Sequence, residues 1–169
     1  MTSPEPLRLG AAGAPVSFEF FPPNTPEGSE KLKTVVKQLG ALSPEFFSVT
    51  YGAGGATRGK TLQTVQDIAS AGHSAAPHLS CIGATRDSIA EILATYRAQD
   101  IRRIVALRGD MPSGTFTSGE FRYAVDLVRF IRETQGNDWQ IEVAAYPEYH
   151  PEQRYASKDL AHYVEKVKA

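Results

Sequence analysis

The sequence predicts an α/β fold in which parallel strands alternate with helices. Short segments rich in apolar, β-branched or aromatic residues recur five times along the 169 residues. Each is followed by apolar residues at the spacing of a helix with one buried face. The strand centres, near 18, 48, 80, 104 and 142, lie about as far apart as the ~30 residues of one βα unit. Strands joined through right-handed helical crossovers lie side by side and parallel.

The elements follow in order. Residues 16–21 form the first strand, closed by Pro22 and Pro23, which cannot donate to a sheet ladder. Thr25 then offers an N-cap with Pro26 at the first helical position, and Leu32, Val35, Val36 and Leu39 make the apolar stripe. The second strand is 46–51, followed by the Gly-rich loop 52–55 and a stripe of Leu62, Val65 and Ala69 capped near Thr57. The third is 78–82, starting after Pro77, with Thr85 as cap and Ile89, Ile92, Leu93 and Tyr96 as stripe. The fourth is 101–107, before Ala124, Leu127, Val128 and Ile131; the fifth is 139–145, before Leu160, Tyr163, Val164 and Val167. Residues 1–15 read as a flexible lead-in, and no linker divides 16–169, which is expected to be one domain. Periodicity leaves two architectures open, a doubly wound open sheet and a section of a (β/α)₈ barrel.

Composition removes other classes. With 18 Lys+Arg against 19 Asp+Glu and no basic run, the chain lacks the concentrated positive patch that nucleic acids or anionic membranes require. No apolar run reaches the roughly 18 residues of a membrane span, and residues 1–14 lack a secretory pattern, so a cytoplasmic location is expected. Cys81 is the single cysteine, which excludes an internal disulfide and a zinc site built from several cysteines.

In both architectures the ligand site lies at the carboxyl ends of the strands, so the polar residues there are the candidates. Glu19 alternates with Phe18 and Phe20 and shares a face with Ser17 and Phe21. Burial among phenylalanines would raise its pKa and suit it to act as a general acid; a core Glu paired with an Arg is the structural alternative. The fourth strand ends in Arg108, Gly109 and Asp110, where the glycine lets the chain approach a ligand closely. An Arg–Asp pair closing the loop explains the same residues. The fifth ends in Ala144, Ala145, Tyr146 and, further on, His150, a platform for a planar ring or a half-buried rim. The second ends in a Gly-rich segment without the third glycine of a dinucleotide fingerprint. His78 reads as a core histidine, and Asp159, His162 and Lys166 share one helical edge, fitting a solvated face or a ligand contact equally.

Five of these segments together resemble the methylenetetrahydrofolate reductase family: Ser17-Phe18-Glu19-Phe20-Phe21-Pro22-Pro23, Ser48-Val49-Thr50-Tyr51-Gly52-Ala53, His78-Leu79-Ser80-Cys81-Ile82, Leu107-Arg108-Gly109-Asp110, and Ala145-Tyr146-Pro147-Glu148 with His150-Pro151. The resemblance runs from Val16 to the end. It implies a (β/α)₈ TIM barrel holding FAD, and reduction of 5,10-methylenetetrahydrofolate to 5-methyltetrahydrofolate with electrons from NADH or NADPH, in one-carbon metabolism and methionine biosynthesis. Glu19 is then the general acid that opens the bridging methylene, and Asp110 the acid beside flavin and folate, both touching substrate. Thr50, Tyr51, Ala53, His78, Arg108, Gly109, Asp110, Tyr123, Tyr146, His150, Asp159 and Lys166 fall on FAD-binding positions. No metal, nucleic acid or membrane partner is implied.

An eight-stranded barrel typically needs about 250 residues, and only about five βα units are present here. The missing units would leave a strand edge and apolar helix faces to be covered, so association into a homo-oligomer is one expectation. A non-catalytic FAD- or folate-binding module of the same fold is the alternative to a reductase, and an unrelated open α/β carrier domain is a third reading.

Overall fold

The computed structural model describes residues 15–52, 58–110, 119–146 and 155–169. Its elements are β1 (Ser17–Phe20), α1 (Pro26–Gly40), β2 (Phe46–Val49), α2 (Arg58–Ser70), β3 (Ala75–Ser80), α3 (Arg86–Arg97), β4 (Arg103–Leu107), α4 (Ala124–Gln135), β5 (Gln140–Val143) and α5 (Ala156–Lys168). All neighbouring strands pair in parallel, in the order β1-β2-β3-β4-β5. That order separates the two architectures left open by periodicity: a doubly wound sheet reverses direction at a switch point, whereas barrel strands follow one another in sequence. The fold is α/β of the (β/α)₈ barrel type, with five βα units among the described residues. The predicted lead-in and the cap near Thr57 lie outside the described residues.

Two compact units divide the chain, Met1–Thr50 with Thr57–Pro77 and Tyr51–Ala56 with His78–Ala169. The first is organised around Phe47, fully buried on β2. Phe18 and Phe20 of β1 stack on it at centroid separations of 6.0 and 5.5 Å, and the His73 ring meets its edge at 5.3 Å. Helix α1 begins as its sequence dictates: Thr25 Oγ1 accepts the Gly28 N–H at 3.1 Å, and Pro26 occupies the first turn, where a missing N–H matters least.

Helix α2 departs from expectation. Its buried face is Thr61, Thr64, Val65 and Ile68, while Ala69 is exposed and Leu62 half-buried. The two threonines are tolerated inside because their hydroxyls donate to carbonyls, Thr61 to Thr50 at 2.9 Å and Thr64 to Lys60 at 2.8 Å. The third strand also differs, starting at Ala75 rather than His78 and running through Pro77. Ala75, Ala76 and Pro77 are in register with β2, and His78, Leu79 and Ser80 with β4. The proline therefore falls where pairing with one neighbour gives way to pairing with the other, the place where a missing donor is least disruptive.

In the second unit α3 buries the predicted stripe, Ile89, Ile92, Leu93 and Tyr96. Its start is a reciprocal cap in which the Ser88 N–H reaches Thr85 Oγ1 at 3.2 Å and the Thr85 N–H reaches Ser88 Oγ at 3.0 Å. Helix α4 buries Val125, Leu127, Val128, Phe130 and Ile131. The Arg86 guanidinium lies 5.2 Å from the Phe130 ring centre and 5.9 Å from that of Phe121, and the Arg86 N–H donates to Glu120 Oε2 at 2.7 Å. Helix α5 is the exception: none of its residues is buried, and Leu160 and Val167, expected in a core stripe, are 62% and 61% exposed. Among the described residues no helix is long and apolar enough to cross a membrane.

The reciprocal cap carries a measurable share of stability. Replacing Thr85 by Ala should lower the unfolding free energy by about 1 kcal/mol. In urea this appears as a lower midpoint at unchanged slope. An unmoved midpoint would show that the cap contributes nothing.

Candidate functional site

The site is built where β4 ends. Beyond Leu107 the ladder with the preceding strand continues, because the Cys81 N–H donates to the Leu107 carbonyl at 3.1 Å and the Ile82 N–H to the Arg108 carbonyl at 2.8 Å. The chain then turns at Gly109, whose φ of +80° lies in the left-handed region. A Cβ there would also collide with Ser80 and lie 3.1 Å from Ile82 Cγ2, so both conformation and space require glycine. Arg108 is half-buried before this turn and Asp110 exposed after it. The Arg108 Nε donates to the Gly109 carbonyl at 3.2 Å.

Helix α4 contributes its first turn. Asp126 accepts the N–H groups of Tyr123 at 2.9 Å and Arg122 at 3.0 Å, placing a carboxylate on donors the helix itself leaves unsatisfied. Tyr123, thus held at the helix start, stacks on His162 of α5 at 6.0 Å with the rings 19° apart. Helix α5 is tied to the end of β5 by Lys166, whose Nζ donates to the Ala144 carbonyl at 2.6 Å. Burial pushes the Lys166 pKa below the ordinary lysine value, and the Asp159 carboxylate partly opposes that shift.

Between these parts lies a cleft of about 950 Å³. Arg108, Gly109 and Asp110 line it from β4, Tyr123 from α4 and Tyr146 from beyond β5. Asp159, His162, Tyr163 and Lys166 line it from α5. Two cations, two carboxylates and three further aromatic rings besides the imidazole thus face one space, suited to a ligand that carries both anionic groups and planar rings.

Seven residues predicted for the cofactor therefore come together: Arg108, Gly109, Asp110, Tyr123, Tyr146, Asp159 and Lys166. The edge Asp159–His162–Lys166, which fitted a solvated face as well, lines the cleft. Tyr51 and His78 do not; His78 is 7% exposed in the middle of β3, in register with Val105, and not at a strand start as expected. Thr50 belongs to the first unit, with its N–H bound to the Phe20 carbonyl at 2.9 Å. Ala53 and His150 lie outside the described residues. Ser157 and Tyr163 were not foreseen, although Asp159, Tyr163 and Lys166 follow at helical spacing; Tyr163 reads as core because the same stripe is apolar.

Glu19 requires a correction. Its side chain is exposed, opposite the face on which Phe18 and Phe20 meet Phe47. Alternation with phenylalanines was read as burial, yet it places the carboxylate on the other side of the strand. Cys81 is fully buried, and burial pushes its thiol up to about 12, so it is a packing residue rather than a nucleophile.

A family model for methylenetetrahydrofolate reductase matches residues 8–169. The chain belongs to the methylenetetrahydrofolate reductase family. It is 47% identical over 156 residues to the 5,10-methylenetetrahydrofolate reductase of Salmonella typhimurium, and equally to that of Escherichia coli, in each case over 91% of this chain and 51% of the relative. The enzyme of the same name from Pectobacterium carotovorum is 44% identical over 155 residues, again 91% of this chain and 51% of the relative. The chain thus spans about half the length of these methylenetetrahydrofolate reductases. The family is one of oxidoreductases, and the barrel-type strand order observed here is the one its resemblance implied.

The electrostatics of the cleft give a directional prediction. Asp159 raises the Lys166 pKa against the lowering by burial, so Asp159→Asn should move the lysine titration still lower. NMR titration of the lysine side-chain signals reads this directly; an upward or absent shift would contradict the assigned pairing.

Proposed function

We propose that the cleft at the ends of β4 and β5 holds FAD, and that the chain takes part in reducing 5,10-methylenetetrahydrofolate to 5-methyltetrahydrofolate with NADH or NADPH. The observation that carries this reading is the convergence of Arg108, Asp110, Tyr123, Tyr146, Asp159 and Lys166 on one cleft. The donor set fits the cofactor. Arg108 and Lys166 offer cationic donors to pyrophosphate oxygens, Asp159 can accept from ribose hydroxyls, and Tyr123, Tyr146 and Tyr163 offer ring faces to a planar group. Bound FAD would supply the hydride carrier between nicotinamide and folate.

The protein's own residues have separate tasks. Lys166 already gives one hydrogen bond to Ala144, which fixes its ammonium at the cleft wall. Asp110, exposed at the turn, can contact the folate and bias the charge beside the flavin. Glu19 would hold the proton delivered to the folate when its bridging methylene opens. This carboxylate is exposed, on the face of β1 opposite Phe18 and Phe20. A cytoplasmic setting belongs to the same proposal.

Purified protein should take up added FAD and turn yellow, and NADH or NADPH should bleach it without oxygen. A protein that remains colourless in excess FAD would contradict the reading. Yellow protein that neither nicotinamide bleaches would favour a non-catalytic flavin-binding module. Glu19→Gln should leave bleaching by nicotinamide nearly intact while suppressing folate reduction by roughly 100-fold or more, the usual scale of a lost proton donor. Equal losses in both half-reactions would remove the acid role from Glu19.

A further inference from the structure

Ser80 belongs to none of the roles above, yet it stands directly beneath the turn that presents Arg108 and Asp110. It is the last residue of β3, in register with Leu107. Its hydroxyl donates to the Arg108 carbonyl at 2.9 Å, and the same carbonyl accepts the Ile82 N–H at 2.8 Å. The Ser80 side chain also fills the space that a Cβ on Gly109 would need. One small polar side chain thus holds the residue before the turn by its carbonyl and occupies the underside of the glycine that makes the turn.

We infer that Ser80 is a positioning residue for cofactor binding: its hydroxyl fixes the Arg108–Gly109 peptide and so aims the Arg108 guanidinium into the cleft. Nothing in the assignment asks Ser80 to touch the ligand. The Ile82 ladder bond and the weak, long contact from the Cys81 thiol at 3.9 Å leave this carbonyl room to rock, and the short bond from the Ser80 hydroxyl at 2.9 Å restricts it. The Arg108 side chain is in turn tied back to the Gly109 carbonyl, one peptide further on, at 3.2 Å, so a rotation of the Arg108–Gly109 peptide also moves the acceptor that holds the guanidinium. Orienting a cation before the anion arrives reduces the ordering that binding would otherwise require.

The inference rests on the flavin reading, and FAD titration of the 169-residue chain, followed by flavin fluorescence, separates the two. Loss of one neutral hydrogen bond is worth about 1 kcal/mol, so Ser80→Ala should weaken FAD binding about fivefold. Ser80→Thr, which keeps the hydroxyl, should bind within about twofold of the unaltered chain on the same scale. In an Arg108→Ala background Ser80→Ala should cost nothing further, because the group it aims is gone. Ser80→Cys replaces the alanine variant if that does not fold.

Unchanged affinity in Ser80→Ala would overturn the inference. So would the same fractional loss with and without Arg108, which would mean that Ser80 acts on the fold as a whole. An unaltered chain that binds no FAD would overturn the flavin reading itself, and the inference with it.

Discussion

Helix α5 buries none of its residues, so individual contacts and not a buried apolar face hold it in place. The Lys166 ammonium donates to the Ala144 carbonyl at 2.6 Å, and the His162 ring lies flat against Tyr123 at the start of α4. These two contacts place the wall of the cleft that carries Asp159, His162, Tyr163 and Lys166. A helix docked by apolar burial would tolerate a changed charge on its face; one docked through a half-buried lysine does not. The same atoms that close the wall also set its charge, since the burial that lowers the Lys166 pKa is the burial of the contact itself.

The opposite wall is held by backbone. Parallel pairing brings the end of β3 alongside the end of β4, and the ladder continues through Cys81 and Ile82 to the Arg108 carbonyl before Gly109 turns the chain away. Strands that all point the same way deliver their carboxyl ends, and the loops that follow, to one side of the sheet. The candidate site can form there because the strands supply rigidity while the strand-end residues are released from the ladder.

Much of this was legible in the sequence, and the failures have physical causes. The α3 stripe of Ile89, Ile92, Leu93 and Tyr96 was readable because a hydrophobic period and a Thr85 cap agreed. The buried Thr61 and Thr64 were not, since their hydroxyls are satisfied by carbonyls that only the folded chain brings near. The start of β3 was displaced because Pro77 reads as a boundary, whereas pairing changes sides there and a proline is accommodated. Glu19 was read as buried from its neighbours, although alternation sends a residue and its neighbours to opposite faces. Strand-end motifs found Arg108, Gly109, Asp110 and Tyr146, whereas Tyr123, Asp159 and Lys166 were assigned to the cofactor through the family resemblance. Periodicity alone could not assign Tyr163 to it, because an apolar residue beside a ligand looks like an apolar residue beside a core.

The central claim is that the cofactor enters the cleft formed by β4, α4 and α5 in the second unit. Amide hydrogen exchange with and without FAD tests it most directly, because exchange reports protection segment by segment. The account predicts slower exchange over 106–110 and 156–168 when FAD is added, with α1 of the first unit unchanged. Protection confined to the first unit, or none anywhere under conditions where FAD is bound, would contradict it.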